Sequence, residues 1–228
     1  VIIDHGDRLE LDLKIRAQTP ANEVLDTILF TFNPGLRVEA LTVNGEMASW
    51  RHEFGLLDIT PPSALTADSS IVIDLKASGT PNTTFGYLDS ARNLLRGTST
   101  GAQLGLLGVD VSVFSADYVA LMPGSRWLPS PGTDVPNDDA RTHPVDFFEI
   151  DLAVTIPPAW QVAGPGRRQP IAENNDRAAD GDPAVYGGRA HYRFAPAAVV
   201  PMVGLITAHF ERRAMNVSGV EFELHLHP

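Results

Sequence analysis

The chain has 228 residues, 43% of them hydrophobic and 20% charged, with a formal net charge of −11 and no cysteine. A chain of this size and composition buries enough surface to fold without a staple, and it lacks the means for disulfides, thiol catalysis or cysteine-ligated zinc. Its acidity opposes the basic footprint that nucleic-acid binding needs, and an anionic membrane surface would repel it.

Lys14 and Lys76 are the only lysines among the basic residues, which reads first as a coding bias. The most apolar run, residues 197–206, falls well short of the ~20 residues of a membrane helix and contains Pro201, so no membrane span is expected. The chain opens on Val1 within a strand pattern, which suggests a piece cut from a longer protein.

Period-two alternation runs along the chain. Leu9, Leu11, Leu13 and Ile15 alternate with Glu10, Asp12, Lys14 and Arg16. Ile28, Phe30 and Phe32 follow, then residues 38–43, then Ile71, Ile73 and Leu75. Later, Phe148, Ile150, Leu152, Val154 and Ile156 face away from Glu149, Asp151, Ala153 and Thr155. Last, Val220, Phe222, Leu224 and Leu226 oppose Glu221, Glu223, His225 and His227. Such alternation predicts strands with the apolar face buried and the polar face wet, as in antiparallel sheets.

Turn residues separate these runs: Asn33-Pro34-Gly35, Asn44-Gly45, Thr60-Pro61-Pro62, Pro157-Pro158 and Gly187-Gly188. Asn44-Gly45 is the strongest hairpin signal, between residues 41–43 and a return strand over 46–51, because both central residues tolerate positive φ. The expected fold is all-β: a mostly antiparallel β-sandwich forming one domain over residues 1–228. A Gly- and Ser-rich stretch near residues 84–108 predicts a short helical or irregular excursion, and residues 174–183 read as a polar loop.

Few residues look chemical. His52-Glu53 begins the zincin pattern H-E-x-x-H, but the second histidine is missing and the setting is a hairpin. His225 and His227 share a strand face and could hold a metal with His209 as third ligand; with Glu221 and Glu223 beside them, the plainer reading is a solvated strip. The loop around Asn174, Asn175, Asp176, Asp180 and Asp182 offers clustered oxygens for calcium, but not at EF-hand spacing. Asp138 and Asp139 near His143 read as a solvated loop before they read as an acid–base pair, and no G-x-S-x-G elbow occurs. The Gly164–Arg168 stretch lacks the phosphate-loop frame and reads as a turn. Asn82-Thr83-Thr84 and Asn216-Val217-Ser218 are glycosylation sequons. Trp50, Trp127 and Trp160 could form a sugar platform, but tryptophans so spread in sequence more often anchor cores or interfaces.

An ordered set of phrases resembles the amino-terminal domain of the aminopeptidase N family of zinc metallopeptidases. Residues 36–45, ending Val43-Asn44-Gly45, with Trp50-Arg51, are similar to the family's strand, V-N-G hairpin and return. Residues 56–59, Leu65 and 71–81 are similar to the strands that follow. Ser125-Arg126-Trp127-Leu128-Pro129 stands where the family has A-R-x-x-F-P-C-x-D-E-P, and residues 147–157 with Trp160–Gly164 resemble the strand and P-x-x-W-x-V-x-x-G return after it. The likeness spans most of residues 8–226 outside 84–120. This chain lacks the family's Cys and Asp-Glu-Pro after Pro129, so substrate-contacting residues are not carried over. In these departures it resembles divergent peptidase-like regions of bacterial membrane proteins fused to transporter-permease segments, a context that implies an extracytoplasmic part of a membrane-associated protein.

The resemblance implies a non-catalytic domain that packs on a downstream catalytic domain of the same polypeptide and walls its substrate cleft, with edge contact to peptide substrate. The family's G-x-M-E-N and H-E-x-x-H motifs, and hence the zinc, would lie in that downstream domain, leaving this chain without a cofactor or activity of its own. Arg126, Trp127 and Pro129 are the interface candidates, since a Trp-Pro loop is rigid and rich in contact area. The alternative is a sandwich binding module for a glycan or protein, marked by exposed tryptophans. A third reading, an autonomous hydrolase built on Asp138, Asp139 and His143, would show turnover in the isolated chain.

Overall fold

A computed structural model of the chain describes residues 1–4, 7–83, 85, 112–132, 146–171 and 183–226. The architecture is all-β, a set of mostly antiparallel sheets in sandwich arrangement. Among the described residues there is no α-helix, only a 3₁₀ turn at Pro123–Ser125. The excursion expected near 84–108, the Asp138–His143 cluster and the acidic loop from Asn174 to Asp182 lie outside the described residues, Phe85 excepted. The chain divides into two compact units.

The first unit comprises residues 8–112 and 122–144. Its larger sheet runs Arg8–Gln18, Ser70–Gly79, Leu36–Val43, Glu46–Met47, each strand antiparallel to the next. Its smaller sheet runs Ser130–Pro131, Ile28–Thr31, Leu56–Thr60, Ser49–Glu53. Alternation works here as expected: Leu9, Leu11, Leu41, Ile73 and Leu75 are buried, and Phe30, Leu57 and Ile59 are buried on the smaller sheet. Each such side chain stabilises the fold by about 1.5–3 kcal/mol. On the outer face the two lysines are cross-strand partners of aspartates, with Lys14 3.3 Å from Asp74 and Lys76 3.4 Å from Asp12. Opposite charges facing each other across a ladder favour this register over a slipped one.

Asn44 and Gly45 both take positive φ, 53° and 84°, as a tight hairpin requires. The Asn44 side-chain oxygen also accepts from the Val72 amide at 2.9 Å, tying the turn to the next strand. The return strand differs from the expected 46–51. Only Glu46–Met47 pairs back, then Ala48 is buried as a corner and Ser49–Glu53 joins the other sheet. His52-Glu53 therefore sits on a strand, not a helix, and a second tight turn at Phe54-Gly55 follows it.

The second unit comprises residues 1–7, 113–121 and 145–228. One sheet runs Ile2–Asp4, Leu152–Ile156, Arg189–Ala195, Arg167–Arg168, with Ala184–Tyr186 also on Arg189–Ala195. Ile2–Asp4 pairs in parallel and the unit's other pairings are antiparallel. A second sheet runs Gln161–Ala163, Leu205–Ala208, Tyr118–Leu121, Val113–Phe114. Ile3, Val154, Ile156, Tyr192, Phe194, Leu121 and Val162 are buried in this unit. Gly187 and Gly188, both at positive φ, make the hairpin turn expected of them.

Two strand readings need correction. The alternation from Phe148 to Ile156 forms a strand only over Leu152–Ile156. Its partner Arg189–Ala195 stops at Pro196, which has no amide to donate, so residues before Leu152 lose their ladder and Phe148 bridges Val200 instead. The second case is a two-stranded ribbon of Glu211–Val217 and Val220–Leu226, turned at Ser218-Gly219. The strand is where alternation puts it, but its apolar side chains point out: Phe222 is 53% and Leu224 54% exposed.

Candidate functional site

The interface candidates stand on a short, stiff segment. Pro123–Ser125 forms the 3₁₀ turn, and Arg126 closes it in the left-handed region at φ 51°, its amide donating to the Pro123 carbonyl at 3.0 Å. Trp127 follows at 1% exposure, inside the first unit. Arg126 and Pro129 are half-buried and keep the exposed surface of the segment.

What holds this segment is Asn33, which is fully buried. Its side-chain amide donates to the Ser125 carbonyl at 2.6 Å and the Asn82 carbonyl at 2.9 Å. Its side-chain oxygen accepts from the amides of Gly35 at 3.0 Å and Asn82 at 2.8 Å, and its own amide donates to the Arg126 carbonyl at 2.9 Å. Three stretches far apart in sequence meet on one side chain with all its hydrogen-bonding capacity used. Gly35 is required beside it, because a Cβ there would lie 2.2 Å from the Thr80 carbonyl oxygen. Sequence reading took Asn33 only as a turn residue; its partners, 49 and 92 residues away, leave no local signal.

The second cluster lies beneath the ribbon. Glu223 accepts from Arg212 at 2.7 Å, Arg168 at 3.1 Å and His225 at 3.0 Å. Burial pushes the Glu223 carboxyl up, but hydrogen bonds from Arg212 and His225 and the charge of Arg168 outweigh it and hold the group below the ordinary glutamate range. Arg168 also donates to the Val162 carbonyl at 3.1 Å and lies 5.5 Å over the Tyr192 ring, and Phe210 meets the His225 ring edge-on at 5.5 Å. The Gly164–Arg168 stretch bends at Gly166, at positive φ, but its last two residues form a short strand ending in a structural arginine.

Of the polar strip expected to be solvated, Glu223 keeps part of its surface exposed while His225 is half-buried, and both engage the arginines' cluster on that side of the ribbon. Its metal alternative, His209, His225 and His227, lies only partly within the described residues. His209 is exposed, His227 is outside the described residues, and His225 Nε2 is engaged by a carboxylate that already serves two guanidinium groups. Two fixed cations around the Glu223 carboxylate disfavour a third there. Among the described residues no three His, Asp or Glu side chains converge. Of the tryptophans, Trp127 and Trp160 are buried, at 1% and 7%, and Trp50 is half-buried, so no exposed aromatic platform forms from them.

Comparison with known proteins adds the following. No protein-family model and no curated protein matches the sequence. Solved structures do match. An M1 zinc metallopeptidase from Deinococcus radiodurans aligns over 98% of this chain and 44% of its own, with a TM-score of 0.66 and 20% identity. A mutant M1 zinc metallopeptidase from the same organism, bound to a Tyr-Ser-Ala substrate, aligns over 97% of this chain and 44% of its own, at TM-score 0.62 and 18% identity. A two-domain M1 zinc metallopeptidase mutant bound to L-arginine gives the same coverage at TM-score 0.63 and 18% identity. The shared fold is that of the N-terminal portion of these peptidases, and this chain spans less than half of their length.

Proposed function

We propose that this chain is the non-catalytic amino-terminal domain of a zinc-aminopeptidase-like protein. It packs on the downstream catalytic domain, walls one side of the substrate cleft and makes edge contact with the peptide. Both compact units belong to that one domain over residues 1–228. The observation that supports this reading is a fold alignment over nearly the whole chain with the N-terminal portion of an M1 zinc metallopeptidase. The ordered phrases from Leu36 to Gly164 point the same way.

In this reading Arg126 and Pro129 touch the catalytic domain while the buried Trp127 and Asn33 set their position. Zinc belongs to the catalytic domain, whose metal needs three protein ligands and an open position for water. The structures named above are zinc metallopeptidases, so a peptidase parent is the context adopted.

Zinc analysis tests the assignment. The purified 228-residue chain is expected to hold no stoichiometric zinc, and the longer product of its gene about one per molecule. A downstream sequence without any H-E-x-x-H motif, or a zinc-free longer product, would overturn the active-peptidase context.

A further inference from the structure

We infer that the outward face of the Glu211–Leu226 ribbon is a second docking surface, in addition to Arg126 and Pro129, for the catalytic portion of the same polypeptide; this deepens the function proposed above and rests on it. The ribbon's amphipathicity is inverted. Glu223, His225 and Arg212 occupy the side that packs on Arg168 and Phe210. On the other side stand Met215, Val217, Phe222, Leu224 and Leu226, from 37% to 62% exposed. Cross-strand register puts Met215 opposite Phe222 and Arg213 opposite Leu224, so these side chains form one continuous strip. The Arg213–Glu211 ion pair, 2.8 Å long and well exposed, lies on the same face, opposite Leu224 and Leu226. An apolar strip containing Met and Phe with an ion pair at one end has the composition of a protein-binding patch.

Size and position select the occupant. A stable interface between free molecules takes roughly 20–30 residues a side, far more than one face of a two-stranded ribbon offers. A tethered partner needs less, because its effective concentration is of order millimolar. The ribbon is the last stretch of the segment matched to the N-terminal portion of the peptidases, whose chains hold more than half of their length outside that portion. The partner nearest along such a chain is therefore the catalytic portion itself. The chain's net charge of −11 argues against an anionic membrane as the occupant.

Amide hydrogen exchange on the 228-residue chain and on the longer gene product tests this. A two-stranded ribbon is marginal by itself, so its opening reports what covers it. Residues 211–226 are expected to exchange at least about tenfold more slowly in the longer product, with Ser70–Gly79 unchanged. Phe222→Glu should abolish that difference and leave the melting of the 228-residue chain unaltered. Equal ribbon exchange in both proteins, in a longer product that hydrolyses peptides, would overturn the inference and spare the functional reading. A longer product with no peptidase-like region would overturn both. If sedimentation shows the 228-residue chain to be a dimer that Phe222→Glu separates, the occupant is a second copy and the inference fails.

Discussion

The strands Arg8–Gln18 and Ser70–Gly79 and the ribbon Glu211–Leu226 carry the same alternating pattern and use it in opposite ways. In the first pair, Leu9, Leu11, Ile73 and Leu75 are buried while Lys14, Asp74, Asp12 and Lys76 pair in solvent. In the ribbon, the charged side chains pack and Phe222 and Leu224 face out. Alternation therefore divides a strand into two faces without saying which is buried. Polar residues can take the inner side when each charge finds a partner, as Glu223 does with Arg168, Arg212 and His225. An outer apolar face then needs a separate explanation.

Substitutions can break this contrast, and the largest effects belong to the conventional face. Leu75→Ala should cost about 3 kcal/mol by creating a cavity, whereas Leu224→Ala in the 228-residue chain should stay within about 0.5 kcal/mol; paired chemical denaturation curves decide. A large loss for Leu224→Ala would mean that the ribbon's outer face is covered within this chain. Asn33→Ala should cost about 3 kcal/mol, because it strands the buried carbonyls and amides of Ser125, Asn82 and Gly35. Loss of near-UV signal from Trp127 ahead of global unfolding would locate the damage in the Arg126–Pro129 segment.

Smaller effects probe the polar side of the ribbon. Glu223→Gln should cost about 1–2 kcal/mol, less than for a fully buried ion because the group is partly solvated, with faster trypsin cleavage after Arg212 and Arg213 as the readout. The folded-state pKa of Glu223 is lowered, so its contribution is complete above the unfolded pKa of about 4.3 and fades as pH falls through the folded value. Ribbon exchange, corrected for intrinsic rates, should thus rise below about pH 4 and not between neutral pH and 6. Lys14→Ala should change stability by at most about 0.5 kcal/mol, because its partner Asp74 lies on an exposed face.

Much of the fold could be read from the sequence because its signals are local. Alternation located Arg8–Gln18 and Ser70–Gly79, and paired positive-φ residues located Asn44-Gly45 and Gly187-Gly188. The split at Ala48 was not readable, since it depends on the strand finding a better partner in Leu56–Thr60. Trp127 was readable as an anchor, but not the inward direction of its burial. Asn33 and Arg168 were missed because their partners come from distant stretches that only the finished fold brings together.

Aminopeptidase turnover of the 228-residue chain, with and without added zinc and beside the longer gene product, tests the central claim most directly. The account predicts no zinc-dependent hydrolysis by this chain and hydrolysis by the longer product. Clear turnover by the 228-residue chain alone would contradict it.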